Sequence, residues 1–118
     1  MSVAAQAKPV DLEHLARYTG GDAALNAEVL SLFADQSVEL LAKLQRVIDA
    51  RDSKEWKAIT HSLKGAARGI GAFGYGDAAA RAEPAVPAED NTNAMAALQA
   101  LRQEADSVQR FITAYLNR

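Results

Sequence analysis

Two long stretches of this chain repeat their apolar residues every three or four positions, and no stretch alternates with a period of two. One runs through Leu25, Val29, Leu32, Phe33, Leu40, Leu41, Leu44, Val47 and Ile48, the other through Leu98, Leu101, Ala105, Val108, Ile112 and Tyr115. Side chains three and four apart share one face of an α-helix, whereas a strand needs alternate residues on a face. The chain is thereby restricted to packed helices. Alanine is abundant and favours the same outcome.

Glycine, proline and capping residues mark where the helices stop. Asp11 caps a short helix over 12–18, which Gly20 and Gly21 end. Asp22 caps a second helix reaching 50–52. Ser53 caps a third, running to about residue 70, where Gly71 and Gly74 break it and Phe73 anchors the turn in the core. An alanine-rich fourth helix spans 75–83. Pro84 and Pro87 lack the N–H that a helix interior needs, so 84–92 reads as a loop. Asn91 or Thr92 caps the last helix. The expected architecture is all-α: an antiparallel four-helix bundle with a short extra N-terminal helix. Residues 1–10 read as a flexible lead-in and 11–118 as a single domain.

Several function classes drop out on composition. At 118 residues the chain can build one core. The absence of cysteine removes disulfide scaffolds and thiolate metal sites. No apolar run approaches the ~20 residues of a membrane span, and the N-terminus has no secretory-type stretch. A net charge of −2 creates no global attraction to nucleic acid. The chain therefore reads as cytoplasmic, with no nucleic-acid or membrane partner.

The third helix carries the unusual chemistry. At about 100° per residue, Trp56, Ile59, Thr60, Leu63, Ala66, Ala67 and Ile70 fall on one face, which is the core face. Lys54, Lys57, His61, Lys64, Gly65 and Arg68 fall on the opposite face. An exposed imidazole is substantially neutral and nucleophilic near pH 7. Lys64 and Arg68, one and two turns on, are placed to screen a phosphoryl group on it. Gly65 costs the helix about 1 kcal/mol relative to alanine and opens the surface to close approach. Spacing alone leaves two readings open: a surface histidine on a solvated lysine face, or a phospho-acceptor. His14 lacks this context and reads as a surface or packing residue. Two histidines without cysteine make a zinc site a poor fit, and no metal site is expected.

The run His61-Ser62-Leu63-Lys64-Gly65-Ala66-Ala67-Arg68-Gly69-Ile70-Gly71-Ala72 resembles histidine-containing phosphotransfer (Hpt) domains. Their pattern is a histidine, an apolar residue two on, Lys-Gly, small residues, and an apolar-Gly-Ala turn. It continues through an alanine-bearing helix to a Glu or Gln, which here is Glu83. The resemblance implies a phosphorelay intermediate that takes a phosphoryl group from a receiver-domain aspartate and passes it to another. It makes His61 the acceptor through Nε2, and Lys64 the group that stabilises the phosphoryl oxygens. Gly65 gives the receiver steric access, Glu83 orients the imidazole, and Arg68 is a further candidate. The implied partners are receiver domains of hybrid kinases and response regulators. No cofactor is implied on this chain; Mg²⁺ is expected on the receiver. The protein is expected to be a monomeric, free-standing carrier without kinase machinery. Two alternatives are the dimerisation and phospho-acceptor domain of a sensor kinase, and a helical adaptor without chemistry. Leu12, Leu15 and Tyr18 of the first helix, with the exposed edge of the second, are expected to supply an apolar part of the docking surface.

Overall fold

In a computed structural model of the chain, residues 8–118 are described. They form five helices: α1 (Leu12–Thr19), α2 (Ala23–Asp49), α3 (Ser53–Gly69), α4 (Phe73–Ala82) and α5 (Asn91–Leu116). α2 packs on α3, α3 on α4, α4 on α5 and α5 on α2, closing an antiparallel ring of four; α1 lies against α2.

Four of the five helices start on an aspartate whose carboxylate accepts a backbone N–H of the first turn. These are Asp11 (from Glu13 and His14), Asp22 (from Leu25), Asp52 (from Glu55) and Asp90 (from Asn93). The expected caps Ser53 and Asn91 or Thr92 are therefore corrected to Asp52 and Asp90. Ser53 is already helical, and its Oγ accepts the Ala88 N–H at 3.1 Å, tying the α4–α5 loop to the start of α3.

The turn after α3 also differs from expectation. Gly71 has φ +87, and an added Cβ there would lie 2.5 Å from the Asp11 carbonyl oxygen. That closeness lets the Asp11 N–H donate to the Gly71 carbonyl at 2.9 Å, so the start of α1 is fastened to the α3–α4 turn. Gly74, expected to break α3, lies inside α4. Phe73 does not enter the core: it is exposed and packs edge-on against His14, ring centroids 5.0 Å apart. Tyr75 takes the core position instead, its hydroxyl 2.6 Å from Ser37 Oγ. Burial pushes the Tyr75 hydroxyl up to about 12, against the smaller lowering effect of the Ser37 hydrogen bond.

The core is built as the periodicity requires, from Leu30, Leu44, Ile48, Trp56, Leu63, Leu98, Leu101 and Ile112. Leu25 and Leu32 are exceptions: both are exposed on α2. Val10, assigned to the lead-in, is fully buried, so the packed chain reaches back at least to it. The lead-in residues 1–7 lie outside the described residues. Leu15 is buried and Leu12 half-buried, leaving Tyr18 as the exposed member of the expected α1 patch. An aspartate at Leu15 would break packing and report nothing about docking.

Candidate functional site

α3 packs on α4, whose buried residues after Tyr75 are the small Gly76, Ala78, Ala79 and Ala82. Small side chains let two helix backbones approach, and short reaches across the seam become possible. Trp56 then fixes the register. Its indole is fully buried and donates from Nε1 to the Ala82 carbonyl at 2.9 Å. That carbonyl belongs to the last turn of α4 and also accepts the Ala85 N–H at 3.0 Å, so the indole and the following turn share it.

The next residue is Glu83, the C-cap of α4, held in the right-handed helical region with its N–H bonded to the Ala79 carbonyl. Pro84 follows without displacing it. Glu83 projects back onto α3. Its Oε1 accepts from Lys64 Nζ at 2.9 Å and lies 3.4 Å from His61 Nδ1. Lys64 foremost holds the Glu83 carboxyl below the usual carboxylate range; partial burial opposes this, and His61 adds to the lowering.

His61 itself is open to water, with 67% of its side chain exposed, against 24% for Lys64 and 20% for Glu83. The carboxylate thus lies on the Nδ1 side of a ring that is mostly in water. A carboxylate accepts only, so a hydrogen bond across this contact requires the proton on Nδ1, the neutral tautomer that leaves the lone pair on Nε2. Gly65, one turn on, is exposed, and a Cβ there would touch nothing among the described residues. Arg68 is not gathered into this group. Its guanidinium pairs with Asp77 at 3.4 Å, and its stem covers Gly76 so closely that a Cβ there would lie 2.7 Å from Arg68 Cγ.

Different surfaces flank the histidine. On the α4 side, Ser53, Lys54, Lys57, Lys64, Glu83 and Pro84 line a cleft of about 560 Å³. On the α1–α2 side, Leu15, Tyr18, Val29, Ala66, Gly69 and Ile70 line an apolar groove of about 330 Å³. Sequence reasoning placed Trp56 in the core but missed that it positions Glu83. The available signal was that a buried indole N–H needs an acceptor.

These features define a class: a single-chain helical bundle that presents one oriented, solvent-facing histidine beside a lysine. The family model of the Hpt domain matches residues 28–111, and the chain belongs to that family. It is therefore a phosphorelay intermediate, and proteins of this kind are carriers that work with receiver domains in two-component systems. An X-ray structure from rice, described as that of a histidine-containing phosphotransfer protein, shares the fold at a TM-score of 0.83. That similarity covers 97% of this chain and 83% of the rice chain, at 17% identity. No curated protein matches the chain. Among the described residues no helix is long and apolar enough to cross a membrane.

Proposed function

We propose that His61 carries the phosphoryl group on Nε2. The observation behind this reading is the Glu83 carboxylate beside Nδ1, which leaves Nε2 as the nucleophilic nitrogen on the exposed side of the ring. In the transfer, Nε2 attacks the phosphorus of a receiver's aspartyl phosphate. The N–P bond forms, the acyl P–O bond breaks, and the aspartate leaves as a carboxylate. Such a transfer depends on in-line positioning and charge neutralisation. Lys64 is the neutralising group: when the phosphoryl oxygens arrive, its ammonium turns from Glu83 to them. Glu83 then keeps its contact with Nδ1–H, which also balances charge on the phosphorylated ring.

Gly65 gives the receiver room, since nothing among the described residues uses the space a side chain would fill. Arg68 has no direct part, because Asp77 holds it. Mg²⁺ belongs to the receiver, and this chain works as a cytoplasmic monomer without a cofactor of its own. A sensor-kinase dimerisation domain is the weaker reading, because the ring of four helices closes within one chain.

The test is incubation with a phosphorylated receiver domain and mapping of the label. The expected product is an acid-labile, base-stable phosphate on His61. A label on any other residue, or none from any of a panel of receivers, would overturn the reading.

A further inference from the structure

The cleft beside His61 contains three ammonium groups and one carboxylate. Lys54, Lys57 and Lys64 line it with Glu83, and Glu83 is already bonded to Lys64. Among the described residues Lys54 and Lys57 form no ion pair, although the chain as a whole is net negative. Both lysines are exposed and one turn apart, so they repel each other and contribute nothing to folding that packing can explain.

We infer that this cleft is a docking subsite for acidic side chains on the surface of the receiver domain, lying beside the transfer site and sharing Lys64 and Glu83 with it. The inference rests on the proposed transfer at His61, since it takes the partner to be a receiver. Three observations select this occupant. Lys64 and Glu83 belong both to the cleft and to the contact with His61, so a protein seated over the imidazole covers the cleft's edge. The cleft is too wide for a small anion to touch all its walls. Its remaining wall is Ala80, Pro84, Ala85 and Val86, which suits the stems of carboxylate side chains.

The apolar groove on the other flank of α3 has no such charge. An acidic patch on the partner is therefore drawn to one flank only, which fixes the direction in which it lands. Charges at the edge of an interface act chiefly on association rate and its salt dependence.

The experiment uses a fluorescently labelled receiver domain chosen because it exchanges phosphate with the wild-type chain. Association and dissociation rates are measured by stopped flow over a range of salt for wild type, Lys54→Gln/Lys57→Gln and Lys54→Glu/Lys57→Glu. The expected association rate falls about tenfold in the charge-reversed protein at low salt, and less in the neutral one. The salt dependence flattens in the same order, while dissociation changes little and helicity and melting stay as in wild type. Equal association rates in all three proteins, or a wild-type rate indifferent to salt, would overturn the inference. Labelling of the wild-type chain by potassium phosphoramidate, a donor with no protein surface, separately tests His61. Its failure would sink the acceptor assignment whatever the docking rates show.

Discussion

The two faces of α3 obey different rules. On the inner face, Trp56, Thr60, Leu63 and Ala67 are fully or nearly fully buried, and each polar atom has a partner: the indole on Ala82, the Thr60 hydroxyl on the Trp56 carbonyl. On the outer face, Lys54, Lys57, His61 and Gly65 are exposed and bond little. Folding accounts for every residue of the first face and for almost none of the second. Residues that packing does not explain are where function is to be sought, and here they surround one imidazole. The faces meet where Trp56 on the inner face bonds the carbonyl of Ala82, the residue before Glu83.

The sharpest way to break this contrast is His61→Ala. Phosphorylation is expected to vanish while the melting temperature stays near wild type, because the side chain is mostly in water. Acid-labile phosphate retained on the variant would show that the outer face is not the reactive one. Leu63→Ala, two residues away, should do the reverse. Leu63 is 1% exposed, and removing such a side chain costs about 2–5 kcal/mol in denaturant unfolding. The protein that remains folded should still accept phosphate at His61. A Leu63→Ala variant of normal stability would mean that the inner face is not the packed core described.

Trp56→Phe probes the coupling. It keeps most of the buried area, removes the donor to Ala82, and should lower stability by about 1–2 kcal/mol. Its distinguishing effect is on the outer face. With the end of α4 loosened, the His61 Nδ1 resonance should lose the signature of its Glu83 contact, and phosphotransfer should slow in step. An unchanged imidazole spectrum would reduce Trp56 to a packing residue.

The sequence was informative on each face for a different reason. The inner face follows from periodicity, since burial imposes spacing. The outer face was legible through the run from His61 to Ala72, a local pattern that survives without three-dimensional information. What could not be read was set by partners distant in the chain. Ser53 and Asp52 are both good caps; Asp52 accepts the Glu55 N–H, while the Ser53 hydroxyl accepts from Ala88, far along the chain. Phe73 and Tyr75 competed for one core position, and Tyr75 holds it with Ser37 as partner for its hydroxyl. Glu83 stands directly before Pro84, at the end of its helix, so its reach to His61 depends on how α4 packs. The packing of α3 on α4 and the indole bond to Ala82 hold the end of α4 beside His61, and neither is a local property.

The smallest effect is also the most specific, and it concerns Glu83. Its carboxyl is held below the ordinary value of 4.5, first by the Lys64 hydrogen bond and then, against partial burial, by His61. A carboxyl depressed in this way stabilises the fold in its ionised form. That contribution is complete above the ordinary value and is lost as pH falls through the depressed one. The contact among Lys64, Glu83 and His61 should therefore persist at pH 4.5 and dissolve only in stronger acid, with little change in overall stability. A carbon-detected titration of the Glu83 carboxyl should show its midpoint below 4.5 in wild type. Lys64→Ala should return the midpoint towards the ordinary value, and His61→Ala should move it less. If Lys64→Ala left the midpoint unchanged, Lys64 would not be resting on Glu83. The ammonium proposed to turn towards the phosphoryl oxygens would then have no partner to leave.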